Sequence, residues 1–125
     1  MAPSRHVVDP ARNSGLPLSP AVRAGDFVFL SGMAAVGPAT DEPLHGTVAA
    51  ETRQILTNVT QLLEAAGSSL AKIVKVNVLI YSMLEYENMN SIDREFFAID
   101  PPARTVCGVK LIGGHKVEIE CVALA

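Results

Sequence analysis

Between Thr47 and Ala66, Val48, Thr52, Ile55, Val59, Leu62, Leu63 and Ala66 recur at intervals of three and four. That spacing predicts an amphipathic helix with one packed face. Gly67 follows directly and supplies a C-terminal stop. Glu51, Arg53, Gln54, Asn58 and Gln61 fall on the other side, which is expected to be solvated. Such a helix does not stand alone, because its apolar stripe needs a surface to cover it.

The next segment supplies that surface. From Lys72 to Ser82 the even positions Val74, Val76, Val78 and Ile80 are uniformly apolar, while the odd ones mix Ile73, Lys75, Asn77, Leu79 and Tyr81. A strand with its even face beneath helices follows from the period of two, and its mixed face should meet a cavity or a partner. Ser82 and Glu85 have capping-box spacing and open a second helix, burying Tyr86, Met89, Ile92, Phe96 and Phe97 and ended by Pro101-Pro102. Asp26 to Met33 reads as a buried strand, and Val36 to Gly46 as a loop. Ala103 to Leu111 and Lys116 to Ala123 read as strands joined by a turn at Gly113-Gly114. The prolines and glycines of the first 25 residues leave an irregular arm with at most short strands.

Strand, helix, strand, helix, strand, strand is an α+β order that requires crossover connections. The economical solution for one domain spanning residues 1–125 is a two-layer sandwich: a sheet with both helices on one face. The other sheet face would then be bare in a monomer, and its mixed apolar character predicts that further copies of the chain cover it.

Charge and cysteine usage exclude several classes. A net charge of −3 removes the usual electrostatic basis for holding a phosphate backbone, so nucleic acid is not the expected partner. Cys107 and Cys121 lack CxxC spacing and lie in apolar segments, which predicts buried free thiols in a reducing compartment. The chain shows no signal-peptide pattern and no apolar run near the ~20 residues that span a bilayer; a soluble, cytoplasmic protein is expected. His6, His45 and His115 form no metal-ligand motif, so no metal site is expected. No serine lies in a G-x-S-x-G setting.

The chemistry concentrates in the last quarter. Arg104 opens a strand with no other charge before Lys110. An arginine in apolar surroundings needs a partner, either Glu118 or Glu120 of this chain or the carboxylate of a ligand. Glu118 and Glu120 share one face of their strand among apolar neighbours, so at least one is expected to face a cavity or a pairing arginine. Ser31 and Gly32 end an apolar strand, where a hydroxyl and exposed backbone can contact a ligand.

Pro102-Ala103-Arg104-Thr105, followed by Val117-Glu118-Ile119-Glu120, resembles the signature of the Rid family, the YjgF-type reactive-intermediate enamine/imine deaminases. Phe29-Leu30-Ser31-Gly32, Glu51-Thr52-Arg53-Gln54, Leu63-Glu64-Ala65-Ala66-Gly67 and Met89-Asn90 with Phe96-Phe97 extend the likeness over nearly the whole chain. The resemblance implies a chorismate-mutase-like fold with the last strand inserted within the sheet. It also implies a homotrimer with clefts between subunits, working without metal or cofactor.

The implied reaction is hydrolysis of a 2-enamine or 2-imine acid to a 2-oxo acid and ammonia. By the same resemblance Arg104 clamps the substrate carboxylate and Glu118 holds the attacking water. Ser31, Gly32, Leu18, Val106 and Cys107 line the cleft, with Glu120 and Asn90 as further candidates. Leu18 and Asp93 stand where tyrosines are common in the family, and Val106 stands where a cysteine is. A non-catalytic trimeric module binding a small carboxylate or a protein is the alternative, and an endoribonuclease a third.

Overall fold

In the computed structural model, which describes residues 4–8, 15–37 and 40–125, the periodic segment forms helix α1 (Val48–Ala65). Thr47 caps it by accepting the Ala50 N–H at 3.1 Å. Gly67, at φ +80°, turns the chain out at the other end, and the Ser68 N–H closes back on the Leu63 carbonyl. The second helix, α2, spans Tyr86–Phe96.

Six strands form one mixed sheet: β1 (Arg5–Val8), β2 (Ala21–Ala24), β3 (Phe27–Ala34), β4 (Ile73–Ile80), β5 (Ala103–Gly108) and β6 (Val117–Leu124). Their spatial order is β1-β2-β3-β6-β4-β5. Among the described residues only the β4–β5 pair is parallel. The last strand is therefore threaded between β3 and β4, and β5 and β6 do not form a hairpin. Gly113 and Gly114, at φ +70° and +75°, carry the intervening turn.

Burial follows the period of two and puts the core on one face. Val28 and Leu30 of β3, Val76, Val78 and Ile80 of β4, and Val117, Ile119 and Cys121 of β6 are buried with Ile55, Val59, Leu62 and Leu63 of α1 and Met89 of α2. Each such aliphatic side chain contributes roughly 1.5–3 kcal/mol by leaving water. The opposite face is open: Val7, Phe27, Phe29 and Leu124 are each about 40% or more exposed. The expected architecture is thus present, with both helices over one face.

Several local expectations need correction. Segment 26–33 is not buried on both faces; Phe27 and Phe29 alternate outward from Val28 and Leu30. At the start of β4 a register shift between Ile73 and Lys75 reverses the pattern, burying Ile73 and exposing Val74. The capping box at Ser82 does not close, because a 3₁₀ turn at Met83–Glu85 precedes α2 and Ser82 instead accepts the Leu84 N–H at 3.3 Å. Glu85 turns its carboxylate to Asn88 and Tyr81.

Glu51 and Asn58, expected in solvent, are buried. Glu51 accepts the N–H groups of Gly46 and Lys116 at 3.1 and 2.9 Å, and Asn58 donates to the Val36 carbonyl at 2.9 Å. Backbone groups of loops covering the core must find partners, and these side chains supply them. Cys107 is exposed rather than buried, on the open face; Cys121 lies in the core, and both thiols are free. Burial, with the Glu120 charge adding to it, pushes the Cys121 thiol up to about 12, so it stays protonated and inert.

Candidate functional site

Arg104 stands on the edge strand β5, opposite Val76 of β4. Partners in register share a face, so its side chain rises on the helix side. There α2 meets it with a polar stripe. Tyr86, Asn90 and Asp93 are spaced i, i+4, i+7 and fall on one line of the helix. Nη1 donates to Asn90 Oδ1 at 2.7 Å and to Asp93 Oδ2 at 2.6 Å; Nη2 donates to the Tyr86 hydroxyl at 2.7 Å. The guanidinium also lies 5.6 Å from the Tyr86 ring centroid.

Three of the five guanidinium N–H donors are used in this way, leaving Nε and one hydrogen of Nη2 without a partner among the described residues. A cavity of about 310 Å³ adjoins them, walled by Arg104, Asn90, Asp93, Phe97, Pro101 and Pro102. Arg104 retains 24% side-chain exposure and Asp93 only 9%. The ion pair is therefore largely desolvated, and removing either partner would leave a costly charge. Asp93 Oδ1 is buried with no hydrogen-bond partner among the described residues.

Glu118 lies on the other face of the sheet. It pairs in register with Leu79 of β4 and Ala34 of β3, beside an irregularity between Leu30 and Met33. Its carboxylate packs on Gly32 so closely that a Cβ there would sit 2.6 Å from Oε2. The neighbouring Ser31 hydroxyl donates to the Ser19 carbonyl at 2.6 Å, and its N–H to the Pro20 carbonyl at 3.0 Å. Ser31, Gly32 and Glu118 thus form one group, tied to the chain that follows the exposed Leu18.

Glu120, also on the open face, accepts from Asn77 at 2.9 Å and borders a separate cavity with Phe29 and Lys75. Val106 shares Arg104's face and packs against the core, whereas Cys107 points to the open side. Of the candidates, Arg104 and Asn90 come together; Ser31, Gly32 and Glu118 come together; and within one chain the sheet separates the two groups.

The partner of Arg104 is not Glu118 or Glu120 but Asp93, read in the sequence only as a departure from a family pattern. The i, i+4, i+7 polar stripe was the available signal. His45 and His115, far apart in sequence, meet with ring centroids 4.8 Å apart and planes tilted by 35°. Among the described residues no group of histidine, cysteine and carboxylate side chains could hold a metal. None of the described helices is long and apolar enough to cross a membrane.

A family model described as Endoribonuclease L-PSP matches residues 11–125. The chain belongs to this family, the Rid or YjgF family. A 2-iminobutanoate/2-iminopropanoate deaminase of Dermatophagoides farinae is 33% identical over 126 residues, covering 99% of this chain and 98% of its own. A RutC family protein of Pyrococcus horikoshii is 38% identical over 108 residues, 86% of each chain. The crystal structure of RidA from an Antarctic Psychrobacter superposes with a TM-score of 0.87 at 30% identity, covering 96% of this chain and 99% of that one. The shared fold accounts for β6 lying between β3 and β4.

Proposed function

We propose that this Rid protein is a hydrolytic deaminase of small 2-enamine or 2-imine acids, releasing a 2-oxo acid and ammonia. The observation that carries the reading is Arg104, held from α2 with two N–H donors left over beside a cavity of about 310 Å³. Arg104 binds the substrate carboxylate through those donors, and Asn90 fixes the guanidinium. Glu118 positions a water for attack on the imine carbon, which is already electrophilic; orientation supplies much of the remaining barrier reduction. Deaminase-named relatives of matching length support the reaction class.

Because Arg104 and Glu118 face opposite sides of the sheet, the site on this reading is completed between subunits of a homotrimer. The apolar open face around Phe27 and Phe29 supports assembly of that kind. Ser31, Gly32 and Leu18 of a neighbouring copy would then wall the cleft. The free thiols fit a reducing compartment such as the cytoplasm. The net charge of −3 places ribonuclease chemistry behind this reading.

The test generates 2-iminobutanoate in situ and follows its disappearance with and without protein. Wild type should accelerate the loss, and Arg104→Ala and Glu118→Gln should each lower kcat/KM by about a hundredfold or more. Carboxylate binding without acceleration would favour a non-catalytic binding module, and full activity in Arg104→Ala would overturn the clamp.

A further inference from the structure

The cavity beside Arg104 contains its own carboxylate. Asp93 Oδ2 lies 2.6 Å from Nη1, and the Asp93 side chain is nine-tenths buried. Its other oxygen, Oδ1, is buried without a donor among the described residues, so Arg104 is the group there that offsets its negative charge. A ligand carboxylate that reaches the two unused guanidinium donors is attracted by Arg104 and repelled by Asp93. Arg94, which also borders the cavity, is committed to Glu87 at 2.8 Å and does not neutralise Asp93.

We infer that Asp93 is a specificity-determining residue, an internal carboxylate that cancels most of the charge of the Arg104 clamp. The clamp then reads its ligand by hydrogen bonding more than by net charge, so an uncharged carboxamide is set back chiefly by the one hydrogen bond it loses where its NH2 meets a guanidinium N–H. The substrate class extends accordingly from free 2-imino acids toward their amides and other uncharged acyl derivatives. This rests on the reading of Arg104 as the substrate clamp. Two charges roughly 6 Å apart at an effective dielectric of about 20–40 interact strongly enough to change binding by tenfold or more.

Asp93→Asn keeps an oxygen acceptor for Nη1, turns the other oxygen into an NH2 donor and removes the charge that repels the ligand. The experiment measures dissociation constants for 2-oxobutanoate and for its uncharged amide, 2-oxobutanamide, by NMR titration of wild type, Asp93→Asn and Asp93→Asn/Arg104→Ala. In wild type the acid should bind no more than about tenfold more tightly than the amide, the effect of one hydrogen bond. Asp93→Asn should tighten 2-oxobutanoate about tenfold or more and leave the amide within twofold; the double variant should lose the gain.

A preference of wild type for the acid of about a hundredfold or more, beyond one hydrogen bond, overturns the inference without any variant. Equal effects of Asp93→Asn on both ligands assign Asp93 to positioning the guanidinium and also overturn it, as does failure of Asp93→Asn to bind the acid at all. If Asp93→Asn does not fold, Asp93→Ser, which also removes the charge and keeps a hydroxyl oxygen without adding volume, is read in its place. Turnover of 2-iminobutanoate is recorded in the same samples. Its absence would remove the deaminase reading, whereas the acid-to-amide binding ratio would still decide the role of Asp93.

Discussion

Gly32 and Glu118 constrain one another at the scale of single atoms. A methyl at position 32 would sit 2.6 Å from Glu118 Oε2, well inside van der Waals contact. The atom in the way is the tip of a flexible side chain rather than backbone, so the protein can relieve the clash by swinging the carboxylate aside. Gly32→Ala should therefore remain folded, with a melting temperature within a few degrees of wild type. If Glu118 positions the attacking water, displacing it by an ångström or more should lower kcat for imine hydrolysis roughly tenfold to a hundredfold, with KM less affected. Melting curves and steady-state kinetics on the same preparation check this. Unchanged kcat would remove Glu118 from the reaction and return attention to Glu120.

The elements are held in place by polar side chains that look like solvent-facing residues in the sequence. Glu51 projects from the first turn of α1 and joins two separate segments, accepting the N–H of Gly46 before the helix and that of Lys116 before β6. Glu51→Ala leaves both donors without their partner in a region where Glu51 itself is 2% exposed. The expected cost is about 3 kcal/mol, equivalent to a fall in melting temperature of roughly 10 °C. Glu51→Gln should recover part of it by keeping one acceptor. Thermal unfolding followed by circular dichroism distinguishes the two variants.

Periodicity made α1 and the buried faces of β4 and β6 legible, because core packing repeats along an element. It could not reveal the burial of Glu51 and Asn58, which depends on which loops pass over the helix. The stripe Tyr86, Asn90, Asp93 was visible in principle at helical spacing. Assigning it to Arg104 required knowing that β5 runs parallel to β4 at the sheet edge, and that is a property of topology. The reversal of Ile73 and Val74 likewise follows from a local register shift, to which alternation alone is blind.

The whole molecule presents two features that assembly would explain together. A sheet packed on one face leaves Val7, Phe27, Phe29 and Leu124 in water, with the two phenylalanine ring centroids 6.3 Å apart. Contiguous apolar surface of this kind favours association. The two halves of the proposed site also lie on opposite sides of that sheet, so one chain cannot close them around one small acid. Both facts point to the same cause if subunits meet across the open face and around the β5 edge. Phe29→Glu puts a charge in the middle of the patch while leaving the helix-side core untouched. Sedimentation velocity should show wild type at the mass of three 13.2 kDa chains and the variant shifted to the mass of one, with far-ultraviolet circular dichroism unchanged. Imine hydrolysis should fall together with the trimer, and should return in proportion as concentration drives reassociation. A monomeric variant with wild-type kcat/KM would show that Arg104 and Glu118 need not meet between subunits, and would confine catalysis to the Arg104 cavity of a single chain.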